Sequence, residues 1–370
     1  MIRRLILLTA VFALPSMAGY ANCGAVTFPG AATSTQTNIT LTFSFSDARF
    51  KSLNTTTRNG IVVPTDLIVT DDATCQTLTG SYTWDVEAYK SSAGTGIVLV
   101  KIPSYATSPR TLYVGFGNPA VTLYQGGAVG SAYDSNTLLV APYNVDSSGT
   151  LANVDFSSSG CNGVATGVTA AAGQIDGAGS FTVLNTSKNL WGGTTCGSDG
   201  TGTFNGRLDA YPSFTYSAWI NSSTTSGDIY NGGANGLPQF RVNSGKLSLD
   251  RLNTSNVAVS TSSITTGVWQ HVAVTWDNSA GVYAFFINGA DAGHGTGTPQ
   301  SAWSLANWSF ASHTWQSGYR NTSPSMSIDL QKVANVARPG SWIANEYANE
   351  SSVPAVVLAN NSTGIPPAIY

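Results

Sequence analysis

Charged residues are scarce in this 370-residue chain, in which Asp, Glu, Lys and Arg together make up 9% of the sequence. The formal net charge is −3, and no run of basic residues occurs. A surface that binds nucleic acid needs clustered Lys and Arg to neutralise phosphates. The composition therefore argues against a nucleic-acid partner.

Histidine is equally rare, with copies only at positions 271, 294 and 313. No Gly-x-Ser-x-Gly elbow accompanies them, so the sequence does not support a Ser-His-Asp hydrolase. His271 precedes the alternating residues Val272 and Val274 and falls on the opposite face of the strand. We expect it to be a half-buried strand residue.

Long apolar runs are missing after residue 21, so we expect no membrane span. Before it, Arg3-Arg4 precede an apolar core from Leu5 to Leu14 that is too short to cross a bilayer, and small residues follow. This pattern predicts a signal peptide over residues 1–21, with cleavage after Ala18 as the alternative. The mature protein is then exported, either secreted or held at the cell surface or in the periplasm.

Only four cysteines occur, and all lie beyond the predicted signal: Cys23, Cys75, Cys161 and Cys196. An even count in an exported chain suggests two disulfides. Of the three possible pairings, Cys23–Cys75 and Cys161–Cys196 keep each bridge inside one predicted domain. No close Cys-Cys or Cys-His spacing supports a zinc site.

The chain is rich in Gly, Ser, Thr and Asn, and 10% of its residues are aromatic. This composition is typical of secreted all-β proteins, whose many short strands need turn residues. Residues 22–125 predict a small antiparallel β-sandwich. Its strands are predicted at Asn38–Phe45, Asp66–Thr70, Tyr82–Tyr89, Gly96–Ile102 and Thr111–Phe116.

The second half is organised around residues 268–292, where Val272, Val274 and Trp276 share one face of a predicted strand. A turn cluster over residues 277–281 leads into a second apolar run, which Asn288-Gly289 reverses. These signals predict a β-meander with one face buried in a sandwich.

Three motifs in order carry a family resemblance: FTYSAWI at 214–220, WQHVAVT at 269–275 with FING at 286–289, and SIDL at 327–330 followed by WIANEY at 342–347. Together they resemble laminin-G-like jelly rolls of the concanavalin A-like lectin/glucanase superfamily. The closing strand of that family often reads Ile-Asp-Glu, whereas the third position here is Leu330. The resemblance implies a second antiparallel sandwich, a jelly roll over residues 126–358.

The first domain resembles a bacterial surface domain of unknown function that often precedes such jelly rolls. The residues that carry this resemblance are TDLIVT at 65–70, WDVEAY at 84–89 and LYVGFGNP at 112–119. Ser341–Asn349 is the helical candidate near the C-terminus. After Pro354 the sequence predicts fraying, with residues 359–370 as a tail.

Carboxylates arranged for polysaccharide cleavage are not evident. Asp85 and Glu87 alternate on one strand of the first domain, which predicts a surface position. Asp329 stands alone on its strand, and Glu346 and Glu350 are four residues apart, as on a solvated helix face.

Calcium is the one cofactor that the resemblance implies, because jelly rolls of this kind often hold it through a carboxylate and loop carbonyls. Asp176, beside Gly177, and Asp291, after the Asn288-Gly289 turn, are the candidate ligands. Each is also explained as a turn former.

Trp303 and Trp315 fall in loop-like sequence, with Tyr319 and Arg320 close by. An exposed indole is a platform for the apolar face of a sugar, and the alternative is that both rings cover the core. By analogy with the family, we expect a non-catalytic recognition module that binds a glycan or a surface protein. A structural surface or adhesion component and a secreted glycoside hydrolase are the alternatives, and the oligomeric state stays open.

Overall fold

The computed structural model describes residues 19–58, 60–144, 151–152, 154–160, 162–181, 188–191, 213–231, 238–251, 254–299 and 325–358. Within these ranges the chain forms antiparallel β-sheets and one α-helix, which confirms the predicted all-β class. Among the same residues, no helix has the length and apolar character needed to cross a membrane.

The first domain is a sandwich of two small sheets. One contains β1, β8 and β5, the other β2, β7 and β6, while β3 and β4 form a hairpin. All five predicted strands are present, with bounds shifted by a few residues. The strands are β1 Asn22–Phe28, β2 Gln36–Ser46, β3 Thr55–Arg58, β4 Ile61–Pro64, β5 Leu67–Thr70, β6 Thr83–Lys90, β7 Thr95–Tyr105 and β8 Arg110–Phe116, with a 3-10 helix at Ala48–Ser52.

The second domain is a larger sandwich that ends in a helix and a short strand. Its elements are β9 Thr137–Ala141, β10 Gly163–Thr166, β11 Thr169–Ala172, β12 Gly177–Phe181, β13 Lys188–Trp191, β14 Phe214–Ser222, β15 Gly227–Asn231, β16 Pro238–Asn243, β17 Lys246–Arg251, β18 Thr254–Ser263, β19 Trp269–Asp277, β20 Val282–Ile287, β21 Ala290–Thr296, β22 Met326–Ala334, α1 Gly340–Ser351 and β23 Val357–Leu358. The large sheet runs β11-β12-β22-β14-β19-β20-β21, with β9 also beside β22. The small sheet runs β15-β16-β17-β18.

The central meander folds as its sequence predicts. Val272 and Val274 of β19 enter the core between the two sheets of the second domain, where Phe240 and Leu247 of the small sheet meet them. Asn288 and Gly289 adopt φ angles of 51° and 73°, the left-handed pair that a two-residue hairpin turn requires.

The face of this meander opposite the sandwich core is buried as well. On the other face of the large sheet, Ala273 and Phe286 form a cluster with Ile343 of α1. Trp219 and Leu330 of the same sheet pack with Leu99 of the first domain. The large sheet is therefore covered by the small sheet on one side and by α1 and the first domain on the other.

The C-terminal segment crosses back to the first domain. Val357 and Leu358 of β23 pair with Ala25 and Gly24 of β1, and the Val356 amide donates to the Ser44 carbonyl at 2.8 Å. The expectation of fraying after Pro354 is therefore wrong up to residue 358. Backbone N–H and C=O groups at the edge of the first domain's sheet are the hydrogen-bonding partners of this segment.

Helix α1 also joins the two domains. The side chain of Asn349 accepts from the Thr42 amide at 2.6 Å and donates to the Thr42 carbonyl at 3.0 Å. Asn345 accepts from the Ala32 amide at 2.6 Å. These bonds pair backbone groups of one domain, of which those of Thr42 are buried, with side chains of the other, so the two domains form one packed unit.

Cys23 and Cys75 form the predicted disulfide. Cys23 lies opposite Gly115 in the β1–β8 pair, and a Cβ at Gly115 would meet the Cys75 Cβ at 2.9 Å. Glycine at this position therefore leaves the space that the disulfide occupies. The second predicted pair, Cys161 and Cys196, lies outside the described residues.

Candidate functional site

A cluster of charged side chains lies between the domains, on the face of the large sheet that α1 and the first domain cover. Among the described residues, Lys332 of β22 is the only cation of this cluster that bonds two carboxylates. The Lys332 Nζ donates to Glu346 at 2.7 Å and also to Glu350. Trp219 donates its indole N–H to Glu350 at 2.8 Å, and His271 Nε2 lies 3.4 Å from the Glu346 carboxylate.

The expectation that Glu346 and Glu350 form a solvated face is wrong, because both are buried. The expectation of a half-buried His271 is also wrong, since it is 1% exposed. Four-residue spacing does align the two glutamates on α1, but that face packs onto the sheet.

Opposing effects set the pKa values in this group. Burial by itself would lower the pKa of Lys332, but Glu346 and Glu350 outweigh it and raise the pKa above its ordinary value. Burial would raise the pKa of Glu346, but Lys332 and His271 lower it. For Glu350, burial prevails over the attraction of Lys332 and raises the pKa. Lys332 therefore stays charged, with Glu346 as its principal counter-ion.

A second group of acids adjoins the first. Asp329 of β22 is fully buried, and one of its oxygens accepts from the Gln174 and Ile175 amides at 2.9 Å and 3.1 Å. Glu87 of β6 is 1% exposed, so the expectation that it and Asp85 lie at the surface is wrong. Asp85 pairs with Arg58 at 3.3 Å and accepts from the Gly130 amide.

Burial is the main influence on this second group. It raises the pKa of Asp329 to about 8, although the two amide bonds act in the opposite direction. It raises the pKa of Glu87 well above its usual range, and the charges of Asp329 and Asp176 add to this effect. Burial also raises the pKa of Asp176, against the attraction of Lys90 at 3.9 Å.

Two β-bulges bring these acids together. In β6 the register shifts between Val86 and Ala88, so Glu87 is the extra residue. In β22 the register shifts within 329–332 opposite Ser217 and Trp219, and Leu330 adopts a φ of 47°. A bulge redirects the side chains that follow it, and a left-handed backbone angle is uncommon for leucine. Alternation therefore does not predict which residues face the interface.

Two cavities flank the cluster. A cavity of about 30 Å³ lies beside Lys332 and α1, a volume suited to a single water. A cleft of about 230 Å³ lies at the edge of the interface, between Lys90, Thr95 and Ser44 of the first domain and Asp176 of the second. The acids of the second group are buried, with Glu87 and Asp329 1% and 0% exposed.

The predicted ligand-binding residues Trp303, Trp315, Tyr319 and Arg320 lie outside the described residues. The two candidate calcium ligands are described. Asp176 lies at the edge of the acidic cluster, while Asp291 accepts from the Gly293 amide at 2.7 Å and lies 2.8 Å from His294 Nδ1. In the described part of the chain, no group of three or more His, Cys, Asp or Glu side chains is arranged to hold a metal ion. Calcium binding stays a prediction.

Comparison with known proteins bears on the second domain. Residues 197–343 match the family described as the concanavalin A-like lectin/glucanases superfamily. The second domain is a concanavalin A-like jelly roll. This confirms the resemblance read from the central meander and the closing strand, and the match covers less than half of the chain. Among curated proteins, none matches the sequence.

Comparison with solved structures gives matches at low identity. The binding domain of Paraclostridial Mosquitocidal Protein 1 is 16% identical, with a TM-score of 0.45 over 57% of this chain and 52% of that one. A structure of botulinum neurotoxin type C, whose cell entry is dependent upon interaction with two ganglioside molecules, is 16% identical, with a TM-score of 0.43 over 58% of this chain and 51% of that one. This chain therefore spans about half the length of either. Domain 4 of an extracellular arabinanase from Geobacillus stearothermophilus, in complex with arabinotriose, is 17% identical, with a TM-score of 0.41 over 57% and 98%.

Proposed function

We propose that this protein is an exported, non-catalytic recognition module whose concanavalin A-like jelly roll binds a glycan or a surface protein. The matched superfamily includes both lectins and glucanases, so the family by itself leaves binding and hydrolysis open. The arrangement of the carboxylates supports binding.

The observation that carries the proposal is that the acids that meet in the structure are enclosed. A glycosidase needs two carboxyl groups on either side of a bound glycosidic bond. Glu87 and Asp329 are 1% and 0% exposed, and Glu350 is bonded to Lys332 and Trp219. A sugar chain would have to separate the two domains before it could reach these carboxyl groups.

Export is supported by the disulfide between Cys23 and Cys75, because such bonds persist in oxidising compartments. It agrees with the signal peptide predicted over residues 1–21, which lies largely outside the described residues.

The ligand surface of the jelly roll must differ from the covered face of the large sheet. That face is occupied by α1 and the first domain. We therefore keep the platform predicted from sequence, in which Trp303 and Trp315 stack on a sugar and Tyr319 and Arg320 bond its hydroxyls.

A glycan array probed with the full chain, with and without calcium, tests this proposal. Trp303→Ala or Trp315→Ala is expected to abolish binding while leaving the melting temperature nearly unchanged, because a surface platform contributes little to the core. Leu123→Ala, at an exposed position in the first half of the chain, is the control and should bind as the unaltered protein does.

Two outcomes contradict the predicted sugar-binding platform. The first is unchanged glycan binding by both tryptophan variants. The second is a large fall in melting temperature, which would indicate that the indole rings are packed in the core. A folded protein that binds no glycan and no isolated surface protein favours the alternative of a structural surface component.

Incubation with β-glucans, galactans or xylans is expected to release no reducing sugar, since the acids that meet are buried. A reducing-end assay over several hours measures this. Turnover that disappears in Asp329→Asn or Glu346→Gln, but persists in the exposed-site variant Asp71→Asn, would support the glycoside hydrolase alternative.

A further inference from the structure

The acidic group between the domains is short of hydrogen-bond donors. Both carboxylate oxygens of Glu87, one of Asp329 and one of Asp176 are buried without a partner among the described residues. Glu87 belongs to the first domain, whereas Asp329 and Asp176 belong to the second. The unsatisfied oxygens therefore come from both sides of one interface.

The cations nearby are already engaged. The Lys332 ammonium bonds Glu346 and Glu350, and His271 lies against Glu346. Lys90 is half exposed and lies 3.9 Å from Asp176. If every acid were ionised, Glu87 and Asp329 would be buried charges of the same sign with no counter-ion of their own, which is strongly unfavourable.

We propose that Glu87 and Asp329 form a proton-dependent latch between the two domains, closed while both carboxyl groups are protonated and opened when they ionise. The groups that act on Glu87 come from every element around it: Asp176 from the loop before β12, Asp329 and Lys332 from β22, and Glu350 from α1. Tyr133 from the domain connection also lies within the electrostatic reach of Glu87. Of these, only Lys332 is a cation, and it is shared by two other carboxylates.

The direction of the pH effect follows from linkage. An acid whose pKa is raised in the closed state keeps its proton there and releases it on opening. Below the ordinary pKa of a carboxyl group, both states are protonated and the interface has its full stability. Stability is then lost as the pH rises towards about 8, the pKa of Asp329 in the closed state. In this window the opening constant increases by up to about tenfold per pH unit for each proton released.

Hydrogen exchange at the interface measures this opening in the intact chain. The Thr42 and Ala32 amides are suitable reporters, because each bonds a side chain of α1 across the interface. After correction for the intrinsic pH dependence of exchange, their protection is expected to fall between about pH 5.5 and pH 8 by up to about a hundredfold per pH unit, a factor of ten for each of the two protons.

Glu87→Gln keeps the shape of the side chain and removes its charge, so it is expected to reduce this slope to about tenfold per pH unit, and Asp329→Asn should do the same. Asp71→Asn, which removes an exposed carboxylate of the first domain, should behave like the unaltered protein. Protection that is independent of pH in the unaltered protein, or an unchanged slope in Glu87→Gln, overturns the proposal.

Infrared spectroscopy gives a second measurement that needs no stable variant. A protonated buried carboxyl group has a carbonyl stretching band distinct from that of a carboxylate. The unaltered protein is expected to show this band near neutral pH and to lose it as the interface opens. Absence of the band at about pH 6, well below the pKa of about 8 for Asp329, rejects the latch.

Discussion

Lys332→Met is expected to lower the free energy of unfolding by about 3–5 kcal/mol, because it leaves the buried Glu346 and Glu350 without their shared cation. Methionine has a similar length and adds no polar group, so the loss reports on charge rather than on volume. Urea-induced unfolding at neutral pH measures it. Lys51→Met, at an exposed position, is the matched control and should change stability by less than about 0.5 kcal/mol.

A triple variant separates charge from packing. Combining Lys332→Met with Glu346→Gln and Glu350→Gln removes the uncompensated charges and is expected to recover most of the lost stability, since neutral replacements of buried ion pairs are often well tolerated. A Lys332→Met protein within about 1 kcal/mol of the unaltered one would show that the cluster is hydrated and that the lysine is not essential to it.

Joint replacement of Cys23 and Cys75 by serine is expected to cost about 4 kcal/mol on the chain-entropy account, given their sequence separation of 52. The bond ties β1, the strand that pairs with β23, to the loop after β5. Loss of the bond should therefore also weaken the attachment of the C-terminal segment. Chemical unfolding measures the first effect, and hydrogen exchange at Val356, whose amide bonds Ser44, measures the second.

The control for this prediction is the Cys161→Ser/Cys196→Ser variant, which leaves the bridge in the first domain intact. If that variant loses protection at Val356 and the Cys23/Cys75 variant does not, the Cys23–Cys75 disulfide does not stabilise the attachment of the C-terminal segment.

The local elements of the fold were predictable from the sequence because they depend on neighbouring residues. Alternation in the central meander predicted its core face, and Asn288-Gly289 predicted a turn that needs left-handed backbone angles. The even number of cysteines, with one pair in each predicted domain, gave the Cys23–Cys75 pairing. In these cases the signal and its structural consequence lie within one hairpin or one domain.

Only the tertiary structure decided which acids are buried. Bulges at Glu87 and within 329–332 interrupt the two-residue period, so alternation assigns these residues to the wrong surroundings. Glu346 and Glu350 are spaced as on an exposed helix face, and burial follows from the packing of α1 against a sheet and a second domain. The pairing of β23 with β1 joins residues more than 300 positions apart, and no local sequence pattern predicts such a contact.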